Sequence, residues 1–256
     1  MKLRSLNRYQ AFAWHFLFSA LLGLAVFLLF RFVWYPGALW DLSGAGKLLL
    51  LVVGVDVTIG PLLTLIVFNP KKKSLPFDLA TIALVQTAAL AYGVWIMAQS
   101  RPVYLVAVVD RIVLVSANEL AKEAVDEAAD PKFGQLSWVG PQIVGAQAKG
   151  TGDERMNLTL SALSGGPDID RLPKYYVDYQ DVAKQIIDAS ETLADLGKRR
   201  PKHMDAIEPW IASLEVPADK IGLVMLVGRT GFGVAAIHRD SGGVLGTLPL
   251  DIHDEN

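Results

Sequence analysis

Three long apolar runs occupy the first hundred residues of the chain. They read AFAWHFLFSALLGLAVFLLF, LLLLVVGVDVTIGPLLTLIVF and LATIALVQTAALAYGVWIMA. A helix rises about 1.5 Å per residue, so about 20 apolar residues cross the roughly 30 Å hydrocarbon core of a bilayer. We therefore predict a three-helix transmembrane region over residues 1–101, with spans at about 11–33, 48–68 and 79–98.

After Pro102 the pattern changes to short strand and helix signals. Apolar stretches bounded by turn residues predict strands at 104–109, 111–116, 221–227, 232–238 and 244–250, with a weaker one at 142–147. Helical periodicity predicts helices at 119–129, 178–196 and 207–214, and the rest of 132–152 is expected to be loop. The predicted fold is a membrane protein with three transmembrane α-helices, followed by an extracytoplasmic α+β domain, 102–256, that ends in a C-terminal antiparallel β-meander.

Charge is unevenly distributed between these two parts. Residues 1–101 hold nine Lys or Arg against three Asp or Glu, whereas residues 102–256 hold 15 against 23. Basic residues are retained on the cytoplasmic side of a membrane, and they cluster before the first span, at Lys2, Arg4 and Arg8, and after the second, at Lys71–Lys73. The N-terminus is therefore expected in the cytoplasm and residues 102–256 outside it.

Several chemistries find no support in the sequence. The chain has no cysteine, and the acidic second part disfavours nucleic-acid binding. His203, His238 and His253 match no zinc spacing, and no serine lies in a G-x-S-x-G elbow. The GRTGFG segment after residue 227 resembles a phosphate loop only superficially and is better explained as a hairpin turn. We expect no enzymatic activity, no metal site and no cofactor.

The second apolar run carries the candidate functional positions. Asp56, Gly60 and Thr64 recur every fourth residue and share one helix face, and Pro61 frees a carbonyl on the adjoining turn. A charged residue at this depth costs about 2.5 to 3.5 kcal/mol, so Asp56 requires a partner or a proton. Gln86 enters the third helix from the opposite side to a similar depth and is a candidate internal partner. The stripe should therefore pack against another transmembrane helix, either in this chain or in a partner.

A set of short motifs resembles the type IV pilin accessory family, the TfpX/TfpZ group. The motifs are Trp40-Asp41, the run Val55-Asp56-Val57-Thr58-Ile59-Gly60-Pro61-Leu62-Leu63-Thr64, Lys71–Lys73, Asp78-Leu79, Gln86, Tyr92-Gly93, Arg101-Pro102 and Asp110-Arg111. This resemblance implies a multi-pass protein of the bacterial inner membrane with a periplasmic domain, which accompanies the major type IV pilin. It carries over no catalytic residue. The positions that carry over for packing or docking are Asp56, Gly60, Pro61 and Thr64, with Arg101 at the membrane exit. Together with Thr58 and Gln86 they are the candidate residues for partner docking or membrane packing.

Two functions from different classes remain open at this point. The first is an assembly factor that binds the pilin, and other pilus assembly proteins, and so affects pilus assembly, surface presentation or the dynamics behind twitching motility. The alternative is a small ion-linked membrane component in which protonation of Asp56 switches the helix packing. A membrane-anchored ligand-binding domain is a weaker third option, and the oligomeric state is left open.

Overall fold

A computed structural model describes residues 6–148, 150 and 152–250, without the side chains of 153–155 and 157. The chain forms two compact units. The first contains the residues up to Val33 together with Ala45–Gln99, and the second contains Trp34–Gly44 together with the residues from Ser100 onward. The segment Trp34–Gly44, assigned by the sequence pattern to the membrane region 1–101, thus belongs to the second unit.

The described residues form helices and strands in the following order. The helices are α1 (Arg8–Leu29), α2 (Leu39–Leu42), α3 (Ala45–Val67), α4 (Leu75–Gln99), α5 (Lys122–Asp126), α6 (Gly152–Leu163), α7 (Tyr179–Ala189), α8 (Leu193–Arg199) and α9 (Met204–Ala212). The strands are β1 (Pro102–Val108), β2 (Arg111–Ser116), β3 (Gln142–Ala146), β4 (Tyr176–Asp178), β5 (Ile221–Val227), β6 (Phe232–His238) and β7 (Val244–Leu250).

Three helical segments of the first unit are long and apolar enough to cross a membrane. They are Arg8–Trp34, in which α1 continues into a π-helical turn, and the helices α3 and α4. Asn7 starts α1 with a capping box, because its side chain accepts from the Gln10 amide and its own amide donates to the Gln10 side chain. A long apolar helix is present at each predicted span, and the helix ends differ from the predicted bounds by up to four residues. The chain therefore has the helices of a multi-pass membrane protein.

Helix α3 packs against both α1 and α4. Glycines make these approaches close: a Cβ at Gly23 of α1 would lie 2.5 Å from Val53 Cγ1, and a Cβ at Gly93 of α4 would lie 2.5 Å from Val52 Cγ1. Small residues at helix crossings are the usual means of packing in lipid, where water provides no driving force between helices. The middle helix is therefore the packing centre of the first unit.

The second unit is built on one mixed sheet. Among the described residues it has seven strands in the order β4-β3-β1-β2-β5-β6-β7. Strands β5, β6 and β7 pair antiparallel through short turns and form the predicted meander. Strand β3 runs parallel to β1, and β5 runs parallel to β2, so the sheet is mixed. The predicted α+β class with closing antiparallel strands is confirmed.

Helices cover parts of both sheet faces. On one face α7 and α2 pack over a core that includes Leu42, Ile186 and Leu226. On the other face α8 and α9 cover the meander, with Ile207 fully buried. Strands bury both of their faces in such an arrangement, which explains why β5 is apolar at nearly every position.

Several elements differ from the sequence prediction. The helix predicted at 178–196 is two helices, because the chain turns at Ser190 and Glu191 forms an antiparallel bridge to Leu223. Helix α6 and strand β4 were not predicted. Strand β4 has only three residues, and its pairing with β3 is a long-range contact that local sequence does not reveal.

The short helix α2 is held to the β5–β6 turn by hydrogen bonds. The Thr230 amide donates to the Leu42 carbonyl at 3.1 Å, and its hydroxyl lies 3.1 Å from the carbonyls of Asp41 and Leu42. Leu39 and Leu42 are buried in the core of the second unit. The connection between the first two spans is therefore an integral part of the sheet domain.

Candidate functional site

Asp56 is buried near the middle of α3, with its carboxylate turned toward α4. The Gln86 side-chain amide, Nε2, donates to the Asp56 carboxylate oxygen Oδ1 at 3.1 Å. The same nitrogen also lies 3.1 Å from the Asp56 backbone carbonyl. A buried carboxyl thus meets a neutral donor on the next helix, the partner anticipated from the depth of Gln86.

Gly60 provides the space for the Gln86 amide. A Cβ at this position would lie 1.8 Å from Gln86 Nε2 and 2.2 Å from Gln86 Cδ. By contrast, a Cβ at Gly54, on the same helix, would meet nothing within 4 Å. The glycine at 60 is therefore required by the polar contact between α3 and α4, whereas the glycine at 54 is not.

The other polar positions of α3 serve different contacts. Thr64 is buried, and its hydroxyl lies 2.6 Å from His15 Nδ1 of α1. Thr58 is exposed, and its hydroxyl donates to the Gly54 carbonyl of its own helix at 2.6 Å. Pro61 is buried within the helix. The structure therefore joins the face of Asp56, Gly60 and Thr64 to α4 on one side and to α1 on the other, and it leaves Thr58 outside this cluster.

A groove of about 550 Å³ runs between α3 and α4. Its lining is apolar except for a few side chains, among them Asp56 and Gln86. Within the described part of the chain, the Gln86 oxygen Oε1 is buried and accepts no hydrogen bond. An unsatisfied acceptor in an apolar groove costs about 1 to 3 kcal/mol until a donor reaches it. The groove is therefore an apolar surface beside a buried acceptor that the described residues leave without a donor.

Arg101 belongs to the second unit. Its Nε donates to the Ser137 carbonyl at 2.9 Å, and its guanidinium lies 3.8 Å from the centroid of the Trp138 ring. Burial lowers the pKa of Arg101, and the nearby Tyr35 hydroxyl partly counteracts this shift. Burial also raises the pKa of Tyr35. Arg101 is therefore a packed structural cation in an aromatic environment.

The sequence pattern anticipated part of this arrangement. The spacing of Asp56, Gly60 and Thr64 placed them on one face, and the depth of Gln86 brought it to Asp56. The contact between His15 and Thr64 was not predicted, because it joins residues 49 positions apart. No sequence pattern indicated Trp138, because a single tryptophan in a glycine-rich loop has no periodic neighbours.

The histidines that match no zinc spacing lie in different parts of the chain. His203 follows α8, and His238 ends β6, whereas His253 lies outside the described residues. Across the described ranges, no group of three His, Asp or Glu side chains could hold a metal ion.

Known proteins resemble this chain over most of its length. The fimbrial assembly protein of Dichelobacter nodosus serogroup E1 is 33% identical over 182 residues, which is 70% of this chain and 70% of that protein. The chain belongs to the fimbrial assembly protein family. The serogroup I protein of the same organism is 32% identical over 182 residues, again 70% of each chain. The protein of serogroups C1 and C2 is 35% identical over 116 residues, which is 44% of this fimbrial assembly protein and 88% of that one.

No family model matches this chain, and no solved structure matches it.

Proposed function

We propose that this fimbrial assembly protein is an accessory factor of type IV fimbriae in the bacterial inner membrane, of the TfpX/TfpZ group. It assists the assembly, surface presentation or dynamics of the major pilin, and hence twitching motility. Family membership and the three apolar helices support a membrane role in fimbrium biogenesis. The motif around Asp56 and the positions of Arg101-Pro102 support the finer group.

The placement in the membrane is part of the same proposal. The N-terminus and Lys71–Lys73 lie in the cytoplasm, because basic residues stay on that side. The second unit lies in the periplasm. The second unit contains two segments of the chain, Trp34–Gly44 and the residues from Ser100 onward, and two spans lie between them. Because an even number of spans separates the segments, both emerge on the same side of the membrane.

The α3–α4 groove is the proposed docking site for the membrane helix of the pilin. The observation that carries this step is the buried, unpaired Gln86 Oε1 in the groove that Val85 also lines. A helix that entered the groove could bury apolar side chains and donate one hydrogen bond to Gln86. In lipid such a combination of close packing and one polar contact is sufficient for helix association.

In this proposal Asp56 orients Gln86. By accepting from Gln86 Nε2, the carboxylate fixes which way the amide points and leaves Oε1 buried without a donor. A helix in the groove donates to Oε1 once the Gln86 side chain turns toward it. Asparagine retains an acceptor oxygen of the same reach, whereas leucine does not. The ion-linked alternative requires a group that gains and loses a proton, so it predicts that asparagine abolishes function.

The test compares surface pilin with total cellular pilin in a strain that lacks this gene and carries complementing variants. Val85→Trp fills the groove and should leave surface pilin as low as in the deletion strain, with total pilin unchanged. Leu84→Trp is the matched control, because Leu84 is also exposed on α4, at 71% against 61% for Val85, but does not line the groove. Asp56→Asn should restore surface pilin and Asp56→Leu should not.

The levels of the variant proteins themselves are measured in the same samples. Normal surface pilin with Val85→Trp would refute docking in the groove. Loss of function with Asp56→Asn, at a normal protein level, would favour the protonation switch.

A further inference from the structure

A short loop of the second unit, residues 137–141, presents two large apolar side chains to the exterior. Trp138 is 59% exposed and Val139 is 79% exposed. The loop has a defined shape: the Val139 amide donates to the Ser137 hydroxyl at 3.1 Å, and Gly140 has a φ of +69°, which favours glycine. Two adjacent exposed apolar side chains on an ordered loop form a surface suited to an apolar environment.

Arg101 holds this loop through contacts with Ser137 and Trp138. The arginine is only 4% exposed, it donates to the Ser137 carbonyl, and its guanidinium packs on the Trp138 ring. A guanidinium over a tryptophan face is attracted by the negative face of the ring, so this contact helps to hold the loop. The Trp138 ring also lies 6.1 Å from the ring of Trp34, centroid to centroid. Both contacts are within the second unit.

The two partners of Trp138 are adjacent in sequence to the ends of spans. Trp34 is the last residue of the first span, and Arg101 follows the end of the third span by two residues. Covalent continuity therefore places both close to the boundary between hydrocarbon and headgroups. Tryptophan and arginine are favoured at that depth, because each combines an apolar body with a polar group. Trp138 contacts both and so reaches the same boundary.

We propose that loop 137–141 is a membrane-interface anchor, in which Trp138 and Val139 insert into the headgroup region of the bilayer that the chain spans. The partner is the lipid surface itself. The loop gives the second unit a lipid contact in addition to its covalent connections, and this proposal does not depend on the pilin or on the α3–α4 groove.

The absence of native cysteine allows a direct test with single labels. The full chain carrying Val139→Cys is labelled with nitrobenzoxadiazole and reconstituted in vesicles of phosphatidylethanolamine and phosphatidylglycerol that contain a nitroxide-bearing phosphatidylcholine. The matched control is Val109→Cys, an exposed apolar position, 61% accessible, in the β1–β2 turn. Strand β1 separates the control from Arg101 by about 20 Å, at about 3.3 Å per residue.

The expected result is loss of most of the emission at position 139 through the nitroxide lipid, with little loss at position 109. Iodide in the water should quench the label at position 109 more than the label at position 139. If iodide quenches both labels and the nitroxide lipid neither, the loop faces water in a pure lipid system and the proposal is overturned in favour of a protein partner. Equal nitroxide quenching at both positions would also overturn it, because the contact would then not be specific to this loop.

Discussion

Replacing Gly60 with alanine should break the polar contact between α3 and α4. The new Cβ would lie 1.8 Å from Gln86 Nε2, and the Gln86 amide is the movable end of a flexible side chain. The amide should therefore rotate away and lose its donation to the Asp56 carboxylate and carbonyl. Gly54→Ala, on the same helix, adds a Cβ into open space.

The magnitude follows from the contacts that are lost. Interhelical hydrogen bonds in membranes contribute about 0.6 kcal/mol each on average, so the two contacts contribute about 1 kcal/mol. Leaving the Asp56 carboxyl without its donor adds to this, up to a total of about 3 kcal/mol if the charge persists. Glycine to alanine also improves helix propensity, but it does so in both variants, so the difference between them isolates the contact.

The assay is reversible unfolding of the full chain by sodium dodecyl sulfate in mixed micelles, followed by circular dichroism. Gly60→Ala should be less stable than Gly54→Ala by about 1 to 3 kcal/mol, as estimated above from the hydrogen bonds and the buried carboxyl. Equal stability of the two variants would refute the reasoning, because the Gln86 contact would then contribute nothing. Adding Gln86→Ala to each variant should remove the difference between them.

Two further predictions concern the second unit, and both are measured by pulse proteolysis of the full chain in detergent across a urea series. Burial raises the pKa of Asp170 above 3.8, so its proton stabilises the fold at low pH and this contribution is lost as pH rises through the folded pKa. Asp170→Asn should therefore stabilise the protein at pH 7 but not at pH 4, and an equal effect at both would contradict this account. Thr230→Val should destabilise the unit by about 1 kcal/mol, because it removes the hydroxyl that reaches Asp41 and Leu42; an unchanged midpoint would show that this bond is replaceable.

The polar cluster of the first unit and the loop of the second illustrate two different uses of polar groups in a membrane protein. Within the helices, Gln86 donates to Asp56, and the Gln86 oxygen stays buried without a donor among the described residues. In the second unit, Arg101 contacts the Ser137 and Leu136 carbonyls and the Trp138 ring, so its charge helps to hold a loop. The proposed docking and anchoring roles are thus independent and can be tested separately.

The sequence alone determined the elements whose signals are local. The apolar runs gave the three spans because length and hydrophobicity decide whether a helix crosses a bilayer. The meander strands matched their predicted limits, 221–227, 232–238 and 244–250, because glycine-bearing turns bound each apolar run. The spacing of Asp56, Gly60 and Thr64 placed them on one face because an α-helix repeats every 3.6 residues.

Only the tertiary structure decided which distant segments meet. The connection Trp34–Gly44 joins the sheet domain because Leu42 packs in its core and accepts from the Thr230 amide, a pairing between residues 188 positions apart. Strand β3 lies parallel to β1, and Trp138 reaches Arg101, through the path of the chain and not through any local pattern. Local propensity depends on residues that are neighbours in sequence. These contacts depend instead on how apolar surfaces are buried and how polar groups are hydrogen-bonded across the whole fold.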